Sequence, residues 1–306
     1  MSMGFTPLGD CFYFSLKYLV FLTGMSIARL SSAQGNLFTK TDSRAEVSMN
    51  SKLIGLVAGL AIYALSLPMA RAVNEDFTAA TSNVTYNGSA FQDLVNGWAV
   101  LTPDAQSQAG SLWFNTPIFP NKGFSISFDF FLGNKTSNGA DGITFAVIDT
   151  ALGLNALGAG GGGLGYLNIG APSFAVEFDT FPNFDLGDPN DNHVQLAGNQ
   201  GVGTQFGPSN ATIPVLENGA VHSATIVFTS PTSVEVILDG VSVLNSEYLA
   251  GMIPTSGNFG FTGATGGLNN LQYVDNIAFS APEPATLALL GFALAGLGFA
   301  RRREPN

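Results

Sequence analysis

From Phe124 to Phe130 the chain alternates strictly, with Phe124, Ile126, Phe128 and Phe130 apolar and Ser125, Ser127 and Asp129 polar between them. A period of two sends the four apolar side chains to one face of an extended segment, whereas a helix would scatter them around its axis. Such a strand must bury that face against another layer. Val234, Val236 and Leu238 repeat the pattern before Asp239-Gly240, a tight-turn signal. Further strands are expected at Ala99 to Thr102, Ser111 to Phe114, Ile143 to Val147, Phe174 to Asp179, Ala224 to Thr229, Phe259 to Thr262 and Tyr273 to Phe279, separated by Gly, Pro and Asn. No long amphipathic helix lies between them, no internal repeat is visible, and the run Gly158 to Gly165 reads as a loop. Regularly spaced short strands predict an all-β sandwich over residues 73–280, a single domain of about 210 residues.

The ends of the chain read differently. Lys52, the apolar stretch Leu53 to Leu67 and the small-x-small site Ala70-Arg71-Ala72 form a secretory signal peptide over residues 49–72. Translation is therefore expected to start at Met49. Residues 1–48, with their own apolar patch from Phe12 to Ile27 broken by Lys17, form a misassigned or disordered extension. At the other end Ala281-Pro282-Glu283-Pro284 precedes an apolar run of 16 residues, 285–300, and then Arg301-Arg302-Arg303. A bilayer needs roughly 20 residues of helix, which flanking residues help to supply, and the arginines would stay on the cytoplasmic side. This segment, 281–306, resembles the PEP-CTERM sorting signal. The resemblance implies a transmembrane sorting helix, an exosortase-type processing partner, export through the inner membrane of a Gram-negative bacterium, and residence in the envelope or an exopolysaccharide matrix.

Charge narrows the partners. Between Val73 and Pro284 there are 18 Asp and Glu against Lys122 and Lys135 alone. Such a surface repels nucleic acid and anionic membranes, so membrane contact is expected only through the terminal helices, and it favours divalent cations. The one cysteine, Cys11, precedes the expected start, which leaves the mature chain without a disulfide or a thiol nucleophile.

Cation chemistry is concentrated in the 18 residues from Val176 to His193, V-E-F-D-T-F-P-N-F-D-L-G-D-P-N-D-N-H. On a strand, Glu177 and Asp179 leave the same face roughly 7 Å apart. Carboxylates so placed repel unless a cation lies between them. Beyond Pro182 a loop is expected to supply Asn183, Asp188 and His193. Carboxylates, an amide oxygen and a loop carbonyl make an all-oxygen set for Ca²⁺, and carboxylates with an imidazole suit a transition ion such as Mn²⁺ or Zn²⁺. An EF-hand starting at Asp188 fails because His193 stands where the loop needs glycine.

In order and spacing this stretch resembles the metal loop of the legume (L-type) lectins, E-x-D-T-F/Y-x-N, then Asp, then His. The resemblance implies a concanavalin-like, jelly-roll sandwich of two large antiparallel sheets. It also implies a transition ion, Mn²⁺ or a relative, on Glu177, Asp179, Asp188 and His193, and Ca²⁺ on Asp179, the main-chain carbonyl of Phe181, Asn183 and Asp188. Other segments match in the same order. Trp113 to Ile118 resembles an early A-F-Y-x-x-P-I/L strand. Ala140-Asp141-Gly142-Ile143-Thr144-Phe145 resembles A-D-G-I/L-x-F, with a cis Ala-Asp peptide and an aspartate that accepts from sugar hydroxyls. Gly161 to Gly165 resembles a G-G-x-L-G loop whose backbone approaches the sugar, and Gly260 to Gly266 the start of the specificity loop. The chain departs after His193, where the family reads I-G-I-D-x-x-S and this sequence V-Q-L-A-G-N-Q.

A sugar needs fixed acceptors, fixed donors and an apolar plate. Asp141 and Asn183 would supply oxygens and an amide, Gly162 a backbone donor and Phe181 the ring, while specificity would lie in Leu268 and Asn269 after Gly266. Single-site affinities near the millimolar end, roughly −4 to −5 kcal/mol, are expected for so shallow a site. A glycoside hydrolase of this fold would carry E-x-D-x-x-E, but the third position is Pro182. A retaining enzyme needs both of its carboxyls. The expectation is thus a carbohydrate-binding protein and not an enzyme, with a purely structural matrix protein as the competing reading.

Overall fold

The structure, a computed structural model, describes residues 72–133, 139–201, 203–229, 232–248 and 250–281. The expected extension and sorting helix, and all of the signal peptide except Ala72, lie outside the described residues. Among those described there is no helix long and apolar enough to cross a membrane.

Among the described residues fifteen strands form two antiparallel sheets. The eight-stranded sheet contains β1 (Ala72–Glu75), β3 (Phe91–Asp93), β4 (Trp98–Thr102), β6 (Phe124–Gly133), β11 (His222–Phe228), β12 (Ser233–Leu238), β13 (Val241–Glu247) and β15 (Leu271–Ser280). Its order is β13-β12-β11-β6-β15-β4-β3, with β1 also on β15. The seven-stranded sheet contains β2 (Val84–Gly88), β5 (Ala109–Phe114), β7 (Gly142–Asp149), β8 (Ser173–Asp179), β9 (His193–Asn199), β10 (Thr204–Asn210) and β14 (Gly257–Ala264), in the order β10-β9-β8-β7-β14-β5-β2. Helix is limited, among the described residues, to four short 3₁₀ turns, one of which, Gly161–Gly163, lies inside the expected glycine loop.

The β6 alternation works as its sequence predicts. Phe124, Ile126, Phe128 and Phe130 are buried, and the serines between them are half-exposed. Phe128 meets Phe178 edge-on at 5.9 Å and Phe261 at 4.7 Å, so one residue of the first sheet locks into two strands of the second. Every strand expected from the sequence is present. β2, β3, β9, β10 and β13 are additional, and β1 begins at the last residue of the expected signal peptide.

The central strands of the seven-stranded sheet, β5, β7, β8, β9 and β14, are buried on both faces. Val176, Val194 and Phe261 point into the inter-sheet core, while Trp113, Ala146, Ile148, Ala175 and Ala197 point the other way and pack with Tyr166 into a second, smaller core. The connection after β7 forms its roof through Leu152, Leu154, Ala156 and Ile169, and Trp113 Nε1 donates to the Ala156 carbonyl at 2.8 Å. Farther along β8 and β9 that outward face changes character. After Ala175 come Glu177 and Asp179, and opposite them stand Gln195 and His193.

One expectation needs correction here. His193 is not on the loop but opens β9, paired in register with Asp179. The alternation of Val194 and Leu196 into the core carries the strand back to His193, whose imidazole is thereby fixed on the carboxylate face.

Candidate functional site

Three strands and two loops build the site. Across β7, β8 and β9, Gly142 pairs with Asp179 and Asp179 with His193, and one step along Thr144 pairs with Glu177 and Glu177 with Gln195. Glu177, Asp179, Gln195 and His193 therefore share one buried face. Gly142 has φ +143, and a Cβ there would strike the Phe178 carbonyl oxygen, so only glycine permits this approach of β7 to β8.

The loop after β8 folds back onto these side chains. Asp179 Oδ1 accepts from the Phe181 N–H at 2.8 Å, and Asp188 Oδ2 accepts from the Asn183 N–H at 2.7 Å. Asp179, Asp188 and His193 offer ligand atoms that all lie within 4.8 Å of one another. Glu177 lies outside that tight trio, although its charge and that of Asp188 oppose each other. His193 Nδ1 is 3.0 Å from the Asn190 carbonyl, which can only accept, so the proton sits on Nδ1. Nε2 then carries the lone pair, 3.7 Å from Asp188 Oδ1 and without a hydrogen-bond partner. An imidazole held by a carbonyl at one nitrogen with the other free is the arrangement of a metal ligand.

Electrostatics point the same way. Burial raises the Glu177 carboxyl to about 8 and Asp141 to about 6, and both feel Asp188. Burial also pushes Asp179 well above the carboxylate range and raises Asp188. It lowers His193, which favours the neutral, ligating imidazole, against the opposing pull of Asp188. Among the described residues the only lysine or arginine is Lys122, far along the chain in a 3₁₀ turn. A bound divalent cation would supply the missing positive charge, and the mixture of carboxylate oxygens with one imidazole nitrogen fits it.

Beside this centre lies a second group of polar atoms. The Ala140–Asp141 peptide is cis. The Asp141 N–H donates to the Ala264 carbonyl at 3.0 Å, its carbonyl accepts from the Thr180 N–H at 2.8 Å, and its carboxylate accepts from the Gly266 N–H. Oδ2 of Asp141 and Oδ1 of Asn183 are both buried without a partner. The glycine loop runs beside both residues. A Cβ on Gly161 would sit 4.0 Å from Asp141 Oδ2, and one on Gly162 would overlap the Asn183 carboxamide. Phe181 is half-buried and Leu268 and Asn269 are half-exposed, with Asn269 Nδ2 donating to Asp104. Phe184, in the same loop as Phe181, is 71% exposed.

Sequence reading missed the polar chain behind Asp141. Gln272 Nε2 donates to the Ala264 carbonyl and to Asn270 Oδ1, both at 2.8 Å, and reaches the Ala140 carbonyl at 3.5 Å. Asn270 Nδ2 donates to Glu217 Oε1 at 2.6 Å, and Glu217 Oε2 accepts from the Gly139 N–H. The available signal was Gln272 itself, a fully buried amide in a strand of apolar neighbours.

Comparison with known proteins agrees with this geometry. The legume lectin beta-barrel domain model matches residues 74–278 and the PEP-CTERM protein-sorting motif matches residues 280–303. The chain belongs to the legume (L-type) lectin family and carries a PEP-CTERM motif at its end. The serine-rich adhesin for platelets of Staphylococcus aureus strain MRSA252 is 29% identical over 226 residues, 66% of this chain but only 17% of the adhesin. The fold recurs in a lectin from Bauhinia forficata in complex with GalNAc, with TM-score 0.57, 23% identity and coverage of 70% of this chain and 99% of that one. It recurs too in the calcium- and Man2-bound exoplasmic/lumenal domain of VIP36, with TM-score 0.56, 16% identity and coverage of 70% and 90%.

Proposed function

We propose that the chain is an exported carbohydrate-binding protein whose sugar site is organised by two ions. Ca²⁺ would be held by Asp179, the Phe181 carbonyl, Asn183 and Asp188, and a transition ion, Mn²⁺ first, by Glu177, Asp179, Asp188 and His193. Asp141, Asn183, Gly162 and Phe181 would contact the sugar, with Leu268 and Asn269 shaping which sugar fits. The calcium would not touch the sugar but would orient Asn183 and the loop bearing Phe181.

One observation carries this reading: two buried, partnerless oxygens, on Asp141 and Asn183, stand beside one glycine loop. Buried acceptors without partners are destabilising by roughly 1–3 kcal/mol each; a sugar hydroxyl would relieve Asp141 Oδ2, and calcium would take Asn183 Oδ1 and leave its Nδ2 to donate to the sugar. Sites that retain such acceptors are built for donors. The adhesin relatives and the sorting motif support a role outside the inner membrane, on envelope or exopolysaccharide glycans, after removal of residues 49–72 and exosortase processing within 281–306.

The test is a glycan array probed with purified protein, loaded with calcium and manganese or stripped by chelator. Binding should appear only in the loaded arm. Asp141→Asn keeps shape but removes the charge that roughly doubles the strength of such hydrogen bonds. It should abolish glycan binding while metal content is unchanged and the melting temperature moves by no more than a few degrees. A loaded wild type that binds no glycan would support the structural matrix reading instead, and a variant that loses metal would make Asp141 a structural residue.

A further inference from the structure

The face that carries Glu177, Asp179 and His193 has a fourth polar side chain. Gln195 is two residues beyond His193 on β9 and directly opposite Glu177 on β8, so its side chain leaves the strand on the carboxylate side of the sheet. Its neighbours in sequence, Val194 and Leu196, go into the inter-sheet core. Gln195 is buried, and its Oε1 has no hydrogen-bond partner. The amide nitrogen makes a single long contact, 3.5 Å, to the Gly207 carbonyl of the neighbouring β10. That anchor uses the donor end of the carboxamide and leaves the acceptor end free. The side chain lies against the imidazole of His193 closely enough to pull its pKa up against burial, yet neither Gln195 Oε1 nor His193 Nε2 reaches a partner at hydrogen-bonding geometry. Two ligand-type atoms, an amide oxygen and an imidazole nitrogen, are therefore buried without partners on one strand, and each faces a carboxylate across the ladder.

We propose that Gln195 Oε1 is a direct ligand of the transition ion in this chain, beside Glu177, Asp179, Asp188 and His193. The inference rests on the two-ion reading above. A fourth oxygen ligand against one nitrogen makes the set harder, which favours Mn²⁺ over the more thiolate- and imidazole-seeking Zn²⁺. It also gives a partner to the acceptor end of a buried carboxamide whose donor end makes one long hydrogen bond.

The experiment strips the full chain with chelator, saturates it with Ca²⁺, and titrates Mn²⁺ or Zn²⁺ alone by calorimetry, with elemental analysis of the products. Water-proton relaxation reports how much solvent the bound Mn²⁺ holds. Gln195→Leu keeps the volume and removes the oxygen. It should raise the Mn²⁺ dissociation constant by about tenfold or more, weaken Zn²⁺ less, leave calcium content unchanged, and increase the relaxation enhancement as water enters. Gln195→Glu should restore Mn²⁺ binding or tighten it. Mn²⁺ affinity and relaxation in Gln195→Leu indistinguishable from wild type would overturn the assignment while leaving the two-ion reading intact. Should the leucine variant fail to fold, a glutamate variant with weakened Mn²⁺ binding would overturn it equally. A wild type that takes up Ca²⁺ but no transition ion would remove the two-ion reading and this inference together.

Discussion

The two sheets share one core and differ on their outer faces. The eight-stranded sheet keeps its outer face wet: along β6, Ser125, Ser127 and Asp129 are half-exposed, and Thr225 and Val227 of β11 lie at the same level. The seven-stranded sheet is covered on that side, and β7, β8, β9 and β14 are buried almost throughout. An exposed face asks only for polar residues. A covered face must satisfy every polar group it contains, so the hydroxyls, amides and carboxylates of β7, β8 and β9 are either bonded to a named partner or oriented toward something else. Among the described residues four of the seven partnerless buried atoms lie there, His193 Nε2 and Gln195 Oε1 on β9 with Asp141 Oδ2 and Asn183 Oδ1 beside it; the others are Tyr86 Oη on β2, and His222 Nε2 and Gln272 Oε1 on the eight-stranded sheet.

If the sheets share one core, removing a residue that reaches from one into the other should have the largest effect. Phe128→Ala would strip the ring that meets Phe145, Phe178 and Phe261 of the opposite sheet. We expect a loss of about 3–5 kcal/mol in urea unfolding. A loss below about 1 kcal/mol would mean the sheets are far less interlocked than their ring contacts imply.

Metal removal should come next, and it tests the covered face alone. A ligand bound only by the native state stabilises it by about 2.7 kcal/mol at a hundredfold excess over its dissociation constant. Excess chelator should therefore lower the melting temperature by several degrees, and an unchanged curve would sink the metal assignment. Asp179→Ala and Asp188→Ala should each lose both ions, because each side chain would bridge the pair. His193→Ala should lose the transition ion but retain calcium in elemental analysis.

The pH dependence of the stripped protein is the third test. Burial raises the folded-state carboxyls of Glu177, to about 8, and Asp179 above their ordinary values, so the folded state holds protons that the unfolded chain releases. Stability is then fully present below the ordinary carboxylate range and is lost as pH rises through the raised values. The melting temperature of stripped protein should fall between pH 5 and about 8. An ion takes over the role of those protons and is bound more tightly as they leave, so the gap between loaded and stripped protein should widen with pH. A stripped protein that gains stability over that interval would contradict this account.

The same difference between faces decides what could be read from sequence. β6 and β12 announce themselves because one wet face produces strict alternation. β9 does not, since H-V-Q-L-A-G-N is buried on both sides and its outward residues are polar for local reasons. β3 has three residues and β10 is an edge strand with an irregular register near Pro208, too short or too broken for a periodic signal. Glu177, Asp179, Asn183, Asp188 and His193 were legible because a single contiguous stretch carries them. Gln195, Gln272 and Glu217 were not, because their positions depend on which strands and loops lie side by side. Nothing local distinguishes Gln195, buried beside His193, from Gln205 on β10, which is only half-buried.

The smallest effect gives the sharpest comparison, because one chemical change can be made on both outer faces. Thr144 of β7 is fully buried, its hydroxyl 2.8 Å from that of Thr262, which in turn donates to the Leu164 carbonyl at 2.7 Å. That chain ties the glycine loop to two strands of the covered sheet. Thr225 of β11 sits on the wet face between Ser127 and Ile237 in the ladder. Valine replaces the hydroxyl with a methyl of similar shape, so packing is held nearly constant in both variants. Thr144→Val leaves the Thr262 hydroxyl with one partner fewer in a dry environment, and about 1 kcal/mol of stability should be lost. Thr225→Val exchanges a solvated hydroxyl for a better strand former and should stay within about 0.5 kcal/mol of wild type. Equal losses in the two variants would mean that the outer faces are equally wet, and the contrast between the sheets would fail at its foundation.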